Sequence, residues 1–182
     1  NLLQSYLTDK LWRRELFERI YFPEGRNFED IAIVYKIFAK VQKTVCLPMA
    51  KYNYWQRKNS IVNTRTLSNK VDHYMASKQR YEYMVKEWPQ FEQLLVSKCM
   101  ASLVQVWCCY LSNPKDERIK FRAQIEEMAI FAKQNYIKIL QKTDLGLAGR
   151  MVVRLTPYTK WWAFALADLV SWLYKLKHGD TL

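Results

Sequence analysis

The sequence predicts a mainly α-helical fold with a small β element, which is the α+β class. Half of its 182 residues are hydrophobic, and a chain of this length can bury one large core or two small ones. It has only four glycines and five prolines, a composition typical of long helices joined by few tight turns. After Asn63 apolar residues recur at helical spacing almost without interruption. We therefore expect two regions, residues 1–65 and residues 66–182.

The first region is predicted to begin with two helices. The run "LTDKLWRRELFERI" interleaves apolar and charged residues and predicts a helix, with Thr8 or Asp9 as its N-terminal cap. Pro23 and Gly25 interrupt this pattern. A second helix is expected from Glu29 to about residue 40, because four apolar residues then fall on one helical face: Ile31, Val34, Tyr35 and Phe38.

The β element is predicted between the second helix and residue 57. "KTVCLP" is a short run with β-branched residues that ends at Pro48. In "KYNYWQR", one face would carry Tyr52, Tyr54 and Gln56 and the other Asn53, Trp55 and Arg57. These patterns indicate either two short strands or one strand and an extended loop.

The second region is predicted to be a helical bundle. We expect helices at about 66–86, 89–111, 115–142 and 157–177, separated by segments that contain proline or glycine. The stretch 102–111, "SLVQVWCCYL", is apolar nearly all round and predicts a core position. All four cysteines lie in apolar runs, which indicates buried, reduced thiols of an intracellular protein: Cys46, Cys99, Cys108 and Cys109.

The charge indicates an affinity for anions. The formal net charge is +12, and a field of that sign attracts phosphate on nucleic acid, on lipid headgroups or on a nucleotide-linked substrate. The motifs GxxxxGK[ST], GxGxxG and HExxH are absent from the sequence, and His73 and His178 are far apart. A P-loop or a zincin-like metal site is therefore excluded.

Two features remain as candidates for chemistry. Glu29 and Asp30 are adjacent carboxylates at a helix start, where acidic residues complement the unpaired N–H groups. The tract at 52–61, "YNYWQRKNSI", fits an exposed edge strand that Arg57 and Lys58 protect from pairing. Considered together, the two features also fit a carboxylate base and an anion-binding cradle.

The sequence resembles a known family over residues 5–65. "KLWRRELF", "IYFPEGRNFEDIAI" and "YNYWQRKNSI" occur in the order and at the spacing of the second half of the catalytic domain of bacterial family 2 glycosyltransferases. These are inverting enzymes of the GT-A fold that build capsules, exopolysaccharides and lipopolysaccharide. The resemblance implies the acceptor-side portion of a GT-A domain, followed by a helical extension at 66–182.

The resemblance also implies a set of site residues. The Asp of the family's ED motif is the catalytic base, which corresponds to Asp30 with Glu29 beside it. The donor diphosphate would lie near residues of the following tract: Tyr52, Tyr54, Arg57, Lys58 and Ser60. The acceptor would contact Lys10, Trp12 and Trp55, although Asp9 stands where relatives commonly have Asn.

The expected partners follow from the same resemblance. They are a nucleotide-sugar donor, a saccharide or lipid-linked acceptor, and the nucleotide-binding half with its DxD motif, which this sequence lacks. We therefore expect a piece of a larger enzyme that is inactive alone. The divalent metal, Mg²⁺ or Mn²⁺, is expected only in the full-length protein, and none is expected to bind this chain.

The C-terminal segment has two interpretations. "KWWAFALADLVSWLYKLK", residues 160–177, has tryptophans flanked by lysines, which suits a helix in the headgroup zone of an anionic bilayer. Packing inside the bundle is the favoured alternative, because the apolar residues cover more than one face of the helix. The expected location is cytoplasmic, with or without peripheral contact to the inner face of the membrane.

A non-catalytic function is the alternative to the enzyme. The excess of Lys and Arg would serve a basic helical module that binds an anionic membrane, nucleic acid or a protein partner. The basic residues are scattered rather than clustered on one helix, which argues against nucleic acid.

Overall fold

The described part of the chain is helical. A computed structural model describes residues 5–55, 66–141 and, of the stretch after these, residues 150, 151, 153, 154 and 156. Its α-helices are α1 (Glu29–Phe38), α2 (Leu67–Glu87), α3 (Glu92–Ser112), α4 (Lys115–Lys120) and α5 (Arg122–Gln141). Two short 3₁₀ turns, Arg14–Phe17 and Pro89–Phe91, precede α1 and α3.

Local sequence explains where the helices of the second region begin and end. The Thr66 hydroxyl accepts the backbone N–H of Asn69 at 3.3 Å, so it caps the start of α2. Pro89 begins the 3₁₀ turn that leads into α3, and Pro114 immediately precedes α4. Proline is well suited to these first positions because its missing N–H would be unpaired there in any case.

The main core lies between α2, α3 and α5. It is formed by large side chains that are almost fully buried, and α3 supplies most of them: Leu95, Val96, Cys99, Met100, Leu103, Val106, Trp107 and Tyr110. Tyr74 of α2 and Met128 of α5 are 0% exposed and close this core from the other two helices. The prediction that the apolar stretch 102–111 contributes to the core is therefore confirmed.

A second, smaller core joins α1 to the segment before it. Ala32, Ile33 and Ile37 of α1 pack together with Ala76 of α2. Partly buried side chains from residues 7–31 cover them: Leu7, Trp12, Leu16, Phe17, Ile20, Phe28 and Ile31. Because Ala76 belongs to α2, this small core fixes α1 against the bundle.

The predicted α+β fold, with a GT-A portion that contains a β element, is wrong for the described residues. The part of the chain from 43 to 55 forms neither a strand nor a helix. Its side chains are exposed, including Val45, Leu47 and Met49. The alternation of side chains in this segment is typical of a strand. A strand, however, needs a neighbouring strand for its backbone hydrogen bonds, and none of the described segments provides one.

The first predicted helix is also wrong. In place of a helix over 7–20, only the 3₁₀ turn Arg14–Phe17 forms. The carboxylate of Asp9, an expected cap, is paired with the neighbouring Lys10 ammonium. Arg19 adopts a left-handed conformation with φ 58°, which ends any helix because a side chain rarely occupies that region inside one.

The helices predicted at 66–86 and 89–111 are confirmed by α2 and α3 within the boundary error that such patterns allow. The single helix expected at 115–142 is divided into α4 and α5 at Phe121. The helix expected at 157–177 lies outside the described residues, as does its proposed membrane contact.

Two further features of the chain concern burial. The segment Pro89–Ser112 is long and apolar enough to cross a membrane by length and composition alone, and 56% of its most apolar part is buried inside the protein. Of the four cysteines, Cys99 is buried and Cys109 half-buried, whereas Cys46 and Cys108 are exposed. The expectation that all four thiols are buried is therefore wrong for two of them.

The main core makes a direct stability prediction. Leu103→Ala removes a side chain that is 0% exposed and should lower the free energy of unfolding by about 2–5 kcal/mol, because the cavity cannot fully collapse. Ile119→Ala, at a position 59% exposed, should change it by less than about 0.5 kcal/mol. Urea denaturation followed by circular dichroism measures both, and equal losses would contradict the described core.

Candidate functional site

The start of α1 is held against α2 by one asparagine. The side-chain amide of Asn27 donates a hydrogen bond to Asn69 Oδ1 at 2.7 Å and a longer one, 3.4 Å, to Asp72 Oδ2. The backbone N–H of Asn27 also donates to Asp72 Oδ2, at 3.2 Å. These bonds tie the residue just before α1 to the first turns of α2, so the direction in which α1 begins is fixed.

Phe28 makes the turn into α1. It has φ 63°, a left-handed conformation that is unusual for a bulky residue. Its ring packs edge-on against His73 of α2, with 4.9 Å between the ring centroids. Burial lowers the pKa of His73, and the positive charges of Lys70 and Arg80 lower it further, which favours the neutral form of this imidazole.

Asp30 takes the place of an ordinary cap for α1. The residue at the cap position is Phe28, whose side chain cannot accept a hydrogen bond, and no side-chain cap is formed there. Asp30 Oδ1 instead accepts the backbone N–H of Ile31 at 2.7 Å. The carboxylate therefore satisfies one unpaired N–H of the first turn and is oriented by it, while Glu29 beside it is exposed.

The electrostatics of Asp30 are set mainly by burial. Half-burial of the carboxyl raises its pKa from the usual 3.8, and the Ile31 N–H opposes this rise. The negative charge of Glu29 raises the pKa further, whereas the positive charge of Arg80 lowers it. The net result is a raised pKa, which makes Asp30 a stronger base than a fully solvated aspartate.

A groove with a volume of about 360 Å³ lies beside this carboxylate. Its walls are mainly apolar and aromatic side chains from α1, from the end of α2 and from the turn that follows: Ile31, Val34, Tyr35, Phe38, Met84, Trp88 and Phe91. Arg80 of α2 contributes the charged group of the lining, and Ser5 and Ala39 complete it. Asp30 is not among these lining residues, although its neighbour Ile31 is, and its carboxylate interacts electrostatically with the guanidinium of Arg80.

Arg80 was not singled out by the sequence analysis, although a signal for it exists. Asn69, His73, Ala76 and Arg80 recur on α2 at alternating spacings of four, three and four residues, which places them on one helical face. Asn69 contacts Asn27, His73 contacts Phe28, and Ala76 packs with α1. An arginine on a face that a second helix covers is a candidate for function, because charge is rarely buried without a reason.

The aromatic residues of the tract after α1 are exposed. Tyr52, Tyr54 and Trp55 have 49%, 55% and 85% of their surface accessible. The Tyr54 ring stacks on Tyr6, with centroids 6.2 Å apart and planes 22° from parallel. The segment 51–55 therefore lies against the beginning of the described chain and presents flat apolar faces to solvent.

The other predicted site residues are only partly described. Lys10 bonds to the Tyr6 carbonyl at 2.7 Å and to Asp9. Trp12 packs edge-on against Phe38 at 5.2 Å and donates its indole N–H to the Leu7 carbonyl at 3.1 Å, so it stabilises the small core. Arg57, Lys58 and Ser60 lie outside the described residues, and the proposed approach of Arg57 to Asp30 stays a prediction.

Metal ligands do not converge in the described part of the chain. Within it, no group of three or more His, Cys, Asp or Glu side chains is arranged to hold an ion. The described residues therefore offer no set of ligands that fits Mg²⁺ or Mn²⁺, and no chemical step is assigned to a metal here.

Comparison with known proteins adds no relative. No family model matches the chain, and no characterised protein or solved structure is significantly similar to it. A function for the chain therefore has to be argued from its motifs and from the geometry around Asp30 and Arg80.

The raised pKa of Asp30 predicts a gain in stability for Asp30→Asn at neutral pH. A folded-state pKa above the unfolded value means that the folded protein holds the proton more tightly, so the stabilisation is present below pH 3.8 and is lost as pH rises through the folded pKa. Asparagine keeps the oxygen that accepts the Ile31 N–H. Urea denaturation across this pH range should show the variant more stable at pH 7, with the difference shrinking in acid.

A control for this measurement is Asp116→Asn, at an exposed position in the first turn of α4. It should show no gain at pH 7, because a negative charge at a helix start is favourable. An Asp30→Asn protein that is less stable than the natural chain at pH 7 would contradict the described burial of Asp30.

The anchor at Asn27 can be tested separately. Asn27→Ala removes the side-chain hydrogen bonds to Asn69 and Asp72 and should lower the free energy of unfolding by about 1–3 kcal/mol, since the remaining partners are partly buried. Asn53→Ala, at an exposed position, is the matched control and should change it by less than about 0.5 kcal/mol. Similar values for the two variants would show that the side-chain hydrogen bonds of Asn27 do not stabilise the fold.

Proposed function

We propose that this chain is the acceptor-side part of an inverting glycosyltransferase, which transfers a sugar from a nucleotide-sugar donor to a saccharide or lipid-linked acceptor with Asp30 as the general base. The observation that carries the proposal is the state of this carboxylate. It is half-buried, oriented by the Ile31 N–H at 2.7 Å and given a raised pKa. The motifs that resemble bacterial family 2 glycosyltransferases support the same assignment.

The reaction needs a base with these properties. An acceptor hydroxyl that attacks the anomeric carbon must lose its proton as the new bond forms, so a carboxylate has to lie within hydrogen-bond reach. Proton transfer is most efficient when the pKa of the base is close to the working pH. Burial moves the pKa of Asp30 in that direction, and the Ile31 N–H holds Oδ1 in a fixed orientation.

Glu29 has a supporting role in this proposal. Its side chain is exposed and its charge raises the pKa of Asp30. Glu29 therefore contributes to the basicity of Asp30 without contacting the acceptor.

The leaving nucleotide requires positive charge elsewhere. Charge that accumulates on a diphosphate is stabilised by guanidinium and ammonium groups, and Arg57 and Lys58 are the residues that the family resemblance assigns to this task. Tyr52, Tyr54 and Ser60 would complete the donor contacts, while Lys10, Trp12 and Trp55 would contact the acceptor. The exposed faces of Tyr52, Tyr54 and Trp55 suit stacking against a sugar or a base.

Activity of the full-length protein tests the base. Asp30→Asn should reduce kcat by about 10²–10⁴-fold, the usual contribution of a general base, and should leave the affinity for the nucleotide-sugar unchanged. Release of nucleoside diphosphate from a panel of nucleotide-sugars, with saccharide acceptors added, measures this rate. The matched control is Asp116→Asn, which removes the same charge from an exposed helix start far along the chain.

The proposal fails if Asp30→Asn retains transferase activity close to that of the natural protein. It also fails if the full-length protein releases no nucleoside diphosphate from any donor when the variant and the natural protein are both folded.

A further inference from the structure

The groove lined by Ile31 and Arg80 combines apolar walls with a cation. Val34 and Phe38 of α1 face it from one side, and Trp88 and Phe91 face it from the turn between α2 and α3. Arg80 is the positively charged side chain of its lining. A cavity with apolar walls and a few polar groups is the usual form of a small-molecule site.

The guanidinium of Arg80 has unused binding capacity. Among the described residues, none forms a hydrogen bond or an ion pair with it, and its interactions with Asp30, Tyr35 and Cys99 are electrostatic only. A guanidinium carries five N–H donors in a planar fork. Because these donors belong to the lining of the groove and are not used by the described protein groups, they can bind the oxygens of an anionic ligand.

Chemistry narrows the class of ligand. The fork of a guanidinium matches the two oxygens of a phosphate or a carboxylate. The aromatic and aliphatic walls favour an apolar body attached to that anion, and a volume of about 360 Å³ accommodates a ligand the size of one ring with its substituent. A free inorganic anion would leave those walls uncovered.

We propose that this groove binds the acceptor of the sugar-transfer reaction, and that the acceptor carries a phosphate or carboxylate group, held by Arg80, on an apolar body that packs against Trp88 and Phe38. This inference rests on the proposed function. It assigns Arg80 as an acceptor-binding residue and identifies the substrate class as an anionic amphiphile.

The electrostatic interaction between Asp30 and Arg80 connects the groove with the proposed reaction. The carboxylate and the guanidinium attract each other electrostatically without forming a direct ion pair, so each retains hydrogen-bonding capacity for a ligand. An acceptor anchored at Arg80 by its anion presents a hydroxyl nearby to Asp30. Anchoring one end of a substrate lowers the entropy that the reacting end must lose.

Calorimetric titration of the 182-residue chain tests the groove directly. The probes are phenyl phosphate and phenylacetate as the two anionic classes, phenyl β-glucoside as a neutral analogue, and inorganic phosphate as a bare anion. We expect saturable binding of one or both anionic aromatic probes, and at least about tenfold weaker binding of the neutral probe and of inorganic phosphate. Comparison of phenyl phosphate with phenylacetate identifies the anion.

Variants separate the groove from the general positive charge of the protein. Arg80→Gln should raise the Kd of the better probe at least about tenfold, and Arg80→Lys should give an intermediate value because the charge remains but the fork is lost. Arg14→Gln, which removes the same charge from an exposed position outside the groove, should leave the Kd within about twofold. Circular dichroism establishes that each variant is folded.

Two results would overturn the inference: no saturable binding of either anionic probe to the natural chain, or equal binding by the folded Arg80→Gln variant. Asp30→Asn distinguishes this failure from that of the proposed function, because it should abolish transfer in the full-length protein and retain probe binding. If transfer survives in Asp30→Asn while Arg80→Gln loses the probe, the base is wrong and the groove is right. If transfer is lost in Asp30→Asn while Arg80→Gln still binds the probe, the base is right and the groove is wrong.

Discussion

The packing of α1 onto α2 is the constraint on which the candidate site depends. Asn27 joins the two helices through hydrogen bonds to Asn69 and Asp72, and the small core around Ile33, Ile37 and Ala76 holds them together along their length. α1 has only ten residues, a length at which an isolated helix is marginal in water. Its stability and its direction therefore come from α2, and so does the position of every group that α1 presents.

This packing brings two opposite charges close together without letting them neutralise each other. Burial disfavours the charged forms of both Asp30 and Arg80, and the attraction between them partly offsets that cost. A direct, bidentate pair would satisfy both groups and leave nothing for a ligand. Because no direct ion pair forms between them, the Arg80 guanidinium, which lines the apolar groove, keeps its N–H donors for another partner.

Features that depend on residues close together in the sequence could be predicted, and features that depend on distant residues could not. The spacing of Ile31, Val34, Tyr35 and Phe38 predicts α1, and the long apolar patterns predict α2 and α3, because helical hydrogen bonds join residues four apart. The pattern from 43 to 55 predicts strands that the described chain does not form, since strand pairing depends on a distant partner. Asp30 is proposed as a site residue from its motif, whereas Arg80 becomes a candidate only once α1 covers that face of α2.

A second question is why an ionisable residue, rather than a neutral one, occupies position 30. Its structural task is to accept one N–H of the first turn of α1, and asparagine or serine would perform that task without a charge to desolvate. The fold instead keeps a carboxylate whose charged form it disfavours. A residue that costs stability, where a neutral alternative would serve the backbone equally well, is explained better by the proton it can accept than by the helix it begins. In the function proposed above, the same residue would start the helix and act as the base, and the Ile31 N–H would orient the carboxylate that accepts the proton.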